Sequence, residues 1–124
     1  MQSGILIKSY TATGLTIGLT YNFKVQARNL FGLSASSTSL SLLAAFVPSQ
    51  PIAPTTLVVG SNVQITWAAP FNGGSSITSY KVFVRETNVN QFAQDTTHCD
   101  GALASIVSAA QCLIPISALT AAPF

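Results

Sequence analysis

Residues 14–32 read GLTIGLTYNFKVQARNLFG. Between Tyr21 and Arg28, apolar and polar residues alternate without a break. A period of two predicts a β-strand with one face turned towards a core. Gly18 before this run and Asn29–Gly32 after it are residues typical of chain reversals. The stretch therefore predicts an all-β fold built from short strands.

Further strand patterns lie on both sides of this run. Strands are predicted within Ile5–Thr11, Thr20–Arg28 and Ser34–Ala45, around Leu57 and Val59, over Asn62–Trp67 and Tyr80–Arg85, within Val89–Ala93, and over Cys112–Ile116, closed by Leu119. Between the two groups of strands, Pro48, Pro51 and Pro54 interrupt the chain. Closely spaced prolines stop a sheet ladder and favour an extended linker. The sequence thus predicts one part over residues 1–47, a linker over 48–54 and a second part over 55–124.

Two sets of residues resemble the fibronectin type III family. They are Leu15, Tyr21, Val25, Ala27, Asn29 and Gly32 in the first part, and Trp67, Pro70, Gly73, Gly74, Ile77 and Tyr80 in the second. The resemblance implies an immunoglobulin-like β-sandwich, with Tyr21 in the position of that fold's tyrosine corner. The side chains expected in the core are Leu15, Tyr21, Phe23, Val25, Trp67, Tyr80 and Leu119.

The order of the strands departs from that of a complete sandwich. Under the resemblance, residues 1–47 hold strands E, F and G of one domain, and residues 55–124 hold strands A, B, C, C′ and E of the next. The linker reaches at most about 25 Å when extended, whereas a strand alone spans about 23–33 Å. Refolding into one permuted sandwich is therefore strained. We expect two partial sandwiches, each completed by a neighbouring copy or an adjacent repeat, head to tail.

The composition is unusually poor in charge. Charged residues make up 6 % of the chain and hydrophobic residues 48 %, and the mean hydropathy is +0.49. A free monomer of this kind should be poorly soluble, so neighbouring subunits, adjoining domains or sugars are expected to cover its surface. The five cations behind the net charge of +2 form no run, which argues against nucleic acid or anionic lipid as a partner. No membrane span is expected, because polar residues and Pro115 break the uncharged segment 101–124.

Cys99 and Cys112 are the only cysteines. An even count in a chain that reads as extracellular favours a disulfide, with two buried free thiols as the alternative. Metal ligation by His98, Cys99 and Asp100 is disfavoured, because adjacent residues on a strand point to opposite faces and metal sites usually need more ligands. We therefore expect no metal.

Catalysis and cofactor binding are not expected either. The chain has three acids and one histidine, and no serine lies in a nucleophile-elbow pattern. No glycine-rich phosphate loop is present, and Gly73–Gly74 falls in a turn. The sequence therefore predicts a protein that is not an enzyme and carries no cofactor.

Two features indicate contacts on the surface. Phe83 shares a face with Lys81 and Arg85, so it is expected to point outward and to contact another subunit or domain. Hydroxyl residues near the linker suit O-linked glycans, although ordinary edge-strand hydroxyls have the same composition. These residues are Ser34, Ser36, Ser37, Thr38, Ser39, Thr55 and Thr56.

The function expected from these features is structural. The chain is interpreted as part of an extracellular or cell-surface filament or adhesive array of tandem repeats, joined head to tail by sandwich completion and end-to-end packing. Two alternatives remain: a receptor-type module that binds a protein ligand through loops such as Phe71–Ser76, and a non-catalytic spacer of a larger extracellular protein. Function lives in sites rather than in folds, so the fold alone does not choose among them.

Overall fold

The computed structural model describes residues 8–86 and 90–121. Within them it contains strands and two short helices. The strands are β1 (Thr20–Phe23), β2 (Arg28–Asn29), β3 (Gly32–Leu33), β4 (Leu40–Leu43), β5 (Thr55–Val59), β6 (Asn62–Thr66), β7 (Phe83–Glu86), β8 (Gln91–Gln94) and β9 (Gln111–Pro115), and the helices are α1 (Ala104–Ala109) and α2 (Ile116–Leu119). All strand pairs are antiparallel. The fold class is therefore all-β, built from small sheets.

The chain divides into two compact units. The first comprises Met1–Val47 with Gly73–Ser75, and the second comprises Pro48–Asn72 with Ser76–Phe124.

The first unit is built on two antiparallel strand pairs. Strand β1 pairs with β4, with Thr20 opposite Leu43, and β2 pairs with β3. Beyond the β1–β4 pair, the Gly18 N–H donates to the Ala44 carbonyl at 2.8 Å. The Thr16 N–H donates to the Tyr21 hydroxyl at 2.8 Å, which fixes the loop before β1.

In the chain segment between the end of β1 and the start of β2, serine hydroxyls replace part of the backbone hydrogen bonding of a regular ladder. The Ser37 hydroxyl accepts from the Val25 N–H, and the Ser34 hydroxyl accepts from the Ala27 N–H, both at 3.0 Å. The backbone N–H of Ser37 in turn donates to the Val25 carbonyl at 2.9 Å. Side-chain bonds of this kind compete with a regular ladder. This explains why β1 ends at Phe23, whereas the sequence predicted a continuous strand to Arg28.

The second unit contains a three-stranded sheet and a two-stranded sheet. The strand order is β5-β6-β9 in the first and β7-β8 in the second. Strands β5 and β6 are joined by a two-residue turn, Gly60–Ser61, in which Gly60 has φ +59°. Glycine suits this position, because side chains with a Cβ rarely adopt positive φ.

The core of the described residues lies in the second unit. Its buried apolar residues are Trp67, Cys99, Cys112 and Ile114. The ring of Trp67 meets that of Tyr80 edge to face, with centroids 5.2 Å apart, a favourable aromatic geometry. Gly101 lies against the Tyr80 carbonyl so closely that a Cβ would overlap it. The absence of a side chain at Gly101 therefore allows the Tyr80 N–H to donate to the Gly101 carbonyl at 2.9 Å.

The all-β prediction misses two helices in the segment around the cysteines. Helix α1 lies between Cys99 and Cys112, and α2 begins at Ile116. The predicted strand over Cys112–Ile116 accordingly starts one residue earlier and ends at Pro115. Proline lacks an N–H to donate to a sheet ladder but is well tolerated at the start of a helix. Pro115 accordingly lies where β9 ends and α2 begins. Of the predicted strand within Ile5–Thr11, residues 5–7 lie outside the described residues, and residues 8–11 form no strand, so the prediction is wrong there. Of the predicted strand within Val89–Ala93, residue 89 lies outside the described residues, and β8 begins at Gln91.

Candidate binding cleft

An apolar cleft of about 420 Å³ lies in the second unit. One wall is formed by alternate residues of β6 and its continuation, Val63, Ile65 and Trp67. The opposite wall is formed by Tyr80–Arg85, and the proline-rich segment supplies Pro51, Ile52 and Pro54. This volume is within the usual range of small-molecule and peptide pockets, and the mainly apolar lining with few polar groups is typical of such sites.

The cleft runs along an open edge of β7. All six residues from Tyr80 to Arg85 line it. Phe83–Arg85 belong to β7, and Tyr80–Val82 are the extended residues that precede it. Because successive side chains of an extended chain point to opposite faces, a cleft that touches all six follows the edge of this segment. Among the described residues, β7 has β8 as its only sheet neighbour. The backbone groups on the cleft side of β7 therefore lack a sheet partner in the described part of the chain.

Hydrogen-bond alternation identifies these backbone groups. The Val82 carbonyl accepts from the Asp95 N–H at 3.2 Å, on the β8 side. In an antiparallel pair, alternate residues turn their N–H and C=O groups to opposite sides of the strand. Lys81, Phe83 and Arg85 thus direct their backbone groups towards the cleft.

The charge of the cleft is positive. Lys81 and Arg85 line it, and no aspartate or glutamate does. The three acids of the chain are Glu86, Asp95 and Asp100. A mainly apolar cleft whose charged side chains are all positive attracts groups of negative charge.

The other cluster of titratable side chains closes a turn. The Asp95 carboxylate is buried, and its Oδ1 accepts from the N–H groups of Thr97 and His98, both at 2.9 Å. The His98 Nδ1 lies 3.4 Å from Asp95 Oδ2, close enough for an ion pair when the imidazole is protonated. This geometry does not complete a hydrogen bond, since Oδ2 has no hydrogen-bond partner among the described residues. The cluster shapes the backbone before Cys99, and within residues 8–86 and 90–121 no group of three or more acids, histidines or cysteines could hold a metal.

The two cysteines are joined in the structure. Cys99 and Cys112 form a disulfide with their Cα atoms 5.5 Å apart, and both are buried. The bond ties the turn at Asp95–His98 to strand β9. Helix α1 lies within the loop that the disulfide closes.

The expected core residues fall into three classes of exposure. Trp67 is buried, and Leu15, Tyr21, Phe23, Tyr80 and Leu119 are half-buried. Val25 is 72 % exposed, so its prediction as a core residue is wrong. It lies beyond the end of β1, where the alternation of exposure in that strand no longer applies.

The predicted surface residues are exposed in the described structure. Phe83 is 53 % exposed and lines the cleft. The residues considered for O-linked glycans, Ser34, Ser36, Ser37, Thr38, Ser39, Thr55 and Thr56, are all exposed. The hydroxyls of Ser34 and Ser37 are engaged with the backbone of the same hairpin.

Reasoning from the sequence missed the cleft. The proline-rich segment was interpreted only as a linker, although it forms one side of the site. A usable signal was present in Tyr80–Arg85, where Lys81 and Arg85 flank an outward Phe83 on a strand that also carries an inward apolar face. Basic and aromatic residues sharing one strand face indicate a contact surface.

The chain is similar to two archaeal proteins. No protein-family profile matches it. It is 39 % identical over 83 residues, 66 % of its length, to a Kelch domain-containing protein of Saccharolobus solfataricus. It is 32 % identical over 85 residues, 68 % of its length, to a Kelch domain-containing protein of Sulfurisphaera tokodaii. The matched stretch covers only 11 % and 12 % of these relatives.

These similarities overturn three expectations from the sequence. The assignment to the fibronectin type III family is wrong, because the similar proteins are Kelch domain-containing and nothing in the matches points to that family. The extracellular or cell-surface location and the extracellular filament lose their basis with it. The Cys99–Cys112 disulfide does not by itself indicate a location.

A membrane span requires a helix of sufficient length and hydropathy. None of the helices in residues 8–86 and 90–121 is long and apolar enough to cross a membrane.

Proposed function

We propose that this chain is a non-catalytic structural segment that joins other copies, or neighbouring segments of a larger protein, by adding strands to its open sheet edges. The observation that carries the proposal is strand β5. It lies at the edge of the β5-β6-β9 sheet, and all five of its residues are exposed. None of them is charged.

An edge of this kind favours pairing with another strand. Natural proteins usually protect sheet edges with charged residues, bulges or covering segments. In β5, Leu57 and Val58 are 65 % and 64 % exposed, so apolar side chains accompany the open backbone edge. Pairing of this edge would satisfy backbone groups and cover apolar surface in one step.

Two further observations support a structural role. The acid and the histidine of the most buried titratable cluster, Asp95 and His98, are engaged in a turn rather than directed at a substrate site. The similar Kelch domain-containing proteins are far longer than the matched stretch. A segment whose role is to pack against neighbouring parts of a long chain needs no catalytic residues.

The test is the mass of the chain in solution. We expect analytical ultracentrifugation at micromolar concentration to give species heavier than the 12.9 kDa monomer. The substitution Val58→Lys places a charge on β5 and is expected to shift the distribution towards the monomer. Phe71→Lys adds the same charge at an exposed loop residue and serves as the matched control. A monomer at every concentration would contradict the joining of copies and leave only neighbouring segments of a larger protein as partners. Association that Val58→Lys leaves unchanged would contradict pairing through the β5 edge.

A further inference from the structure

We propose that the cleft along β7 binds an extended peptide segment of another protein, in which apolar and acidic residues alternate. The peptide would lie antiparallel or parallel to β7 as an added strand. This site is separate from the β5 edge, because none of the β5 residues except Thr56 lines the cleft. Binding of a peptide in the cleft therefore does not depend on association through β5.

The open edge of β7 selects an extended backbone. Six consecutive residues, Tyr80–Arg85, line the cleft, and the groups of alternate residues face it. An added strand would hydrogen-bond to these groups, as in recognition by β-strand addition. A compact ligand without backbone N–H and C=O groups would leave that edge unpaired.

The wall opposite the edge selects apolar side chains. Val63, Ile65 and Trp67 line the cleft on the β6 side. Alternate side chains of an added strand point to one face. One set would therefore contact this apolar wall, and removing these side chains from water favours binding.

The positive charge of the cleft favours acidic residues at the alternate positions of the added strand that point away from the apolar wall. Lys81 and Arg85 are its only charged lining residues. They are four residues apart on one strand face, about 13 Å at the usual rise of a strand. Acidic side chains on the outward face of the added strand would lie near them and contribute attraction across the contact.

The same charge argues against a second copy as the occupant. The run Thr20–Arg28, of which β1 comprises Thr20–Phe23, has Lys24 and Arg28 at the polar positions of its sequence pattern. Like charges would face each other if this run entered the cleft. Of the three acids in the chain, Glu86 lies on β7 itself and Asp95 is buried. The favoured occupant is thus a segment of different composition.

Trp67 provides a direct readout, since it is the only tryptophan and lines the cleft. The probe is an end-capped hexapeptide of alternating valine and glutamate, and the control is the same peptide with lysine in place of glutamate. We expect the acidic peptide to change the Trp67 fluorescence saturably. The lysine peptide is expected to bind at least about tenfold more weakly, since exposed ion pairs each contribute several tenths of a kcal/mol and like charges oppose.

Charge-reversed protein variants test the same contacts from the other side. In K81E/R85E the preference is expected to invert, with the lysine peptide bound more tightly than the glutamate peptide. K24E/R28E changes the net charge by the same amount outside the cleft and is expected to retain the original preference. Circular dichroism of both variants checks that the fold is kept.

Backbone methylation separates strand addition from other modes of binding. Methylating the amides of every second residue removes the N–H groups on one edge of the peptide. Of the two possible alternately methylated peptides, we expect one to lose binding and the other to keep it. Equal binding of both would overturn the added strand, as would tighter binding of an anionic amphiphile such as decanoate. Saturable binding by the Val58→Lys monomer is expected, and its absence with wild-type binding retained would overturn the independence of the two sites.

Discussion

The Cys99–Cys112 disulfide is expected to supply a large share of the stability of the second unit. Reduction leaves the two buried thiols in the core but removes the covalent link between the turn at Asp95–His98 and strand β9. The folded contacts around Trp67 and Ile114 can persist. The main change is then in the unfolded chain, which gains conformational freedom.

The magnitude follows from the size of the closed loop. The cysteines are 13 residues apart in sequence, and the chain-entropy model gives roughly 3 kcal/mol for a loop of that length. Small proteins have denaturant slopes of about 1–3 kcal/mol per molar urea. Reduction should therefore lower the urea midpoint by about 1–3 M.

The assay is urea unfolding followed by the fluorescence of Trp67, which reports on the core of the second unit. Oxidised and reduced protein are compared, and the variant Cys99→Ala/Cys112→Ala is measured with and without reductant. The reductant should destabilise the wild type and leave the variant unchanged. If oxidised and reduced wild type unfolded at the same urea concentration, the disulfide would not constrain the unfolded chain, and the reasoning would be refuted.

Substitutions at two other positions, Ile114 and Asp95, test the packing and the turn. Ile114→Ala removes a fully buried side chain from β9 and is expected to lower the free energy of unfolding by about 2–5 kcal/mol in the same urea assay; a loss below about 1 kcal/mol would mean that the site collapses around the smaller residue. Asp95→Ala leaves the N–H groups of Thr97 and His98 without their acceptor, at an expected cost of about 1–3 kcal/mol. Asp95→Asn keeps an acceptor oxygen and should cost less, so equal losses for the two variants would show that these bonds do not stabilise the turn.

Local patterns in the sequence were enough to place several strands. The alternation around Tyr21 and Phe23 corresponds to β1, where these two side chains are half-buried and their neighbours exposed. The alternation over Asn62–Trp67 corresponds to β6, and that over Tyr80–Arg85 overlaps β7. Such patterns are readable because the side-chain period of a strand is set within the strand itself.

The extent and burial of those strands depended on competing hydrogen bonds and on backbone preferences. Val25 continues the alternation of β1, yet Ser37 takes its N–H and the side chain stays exposed. Ile116 continues the alternation of β9, yet it begins a helix after Pro115. In both cases a competing hydrogen bond or backbone preference ends the strand. The alternation of apolar residues does not indicate where this happens.

The sequence by itself determined a charge-poor, all-β chain with short strands and two cysteines available for pairing. It favoured a disulfide between those cysteines, with two free thiols as the alternative, and its resemblance to a known family led to the wrong relatives. Only the tertiary structure brought Pro51–Pro54, β6 and Tyr80–Arg85 around one cleft with a free strand edge. The physical reason is that strand periodicity is a property of neighbouring residues. A site is made by segments far apart in sequence, and their meeting is decided by the packing of the whole unit.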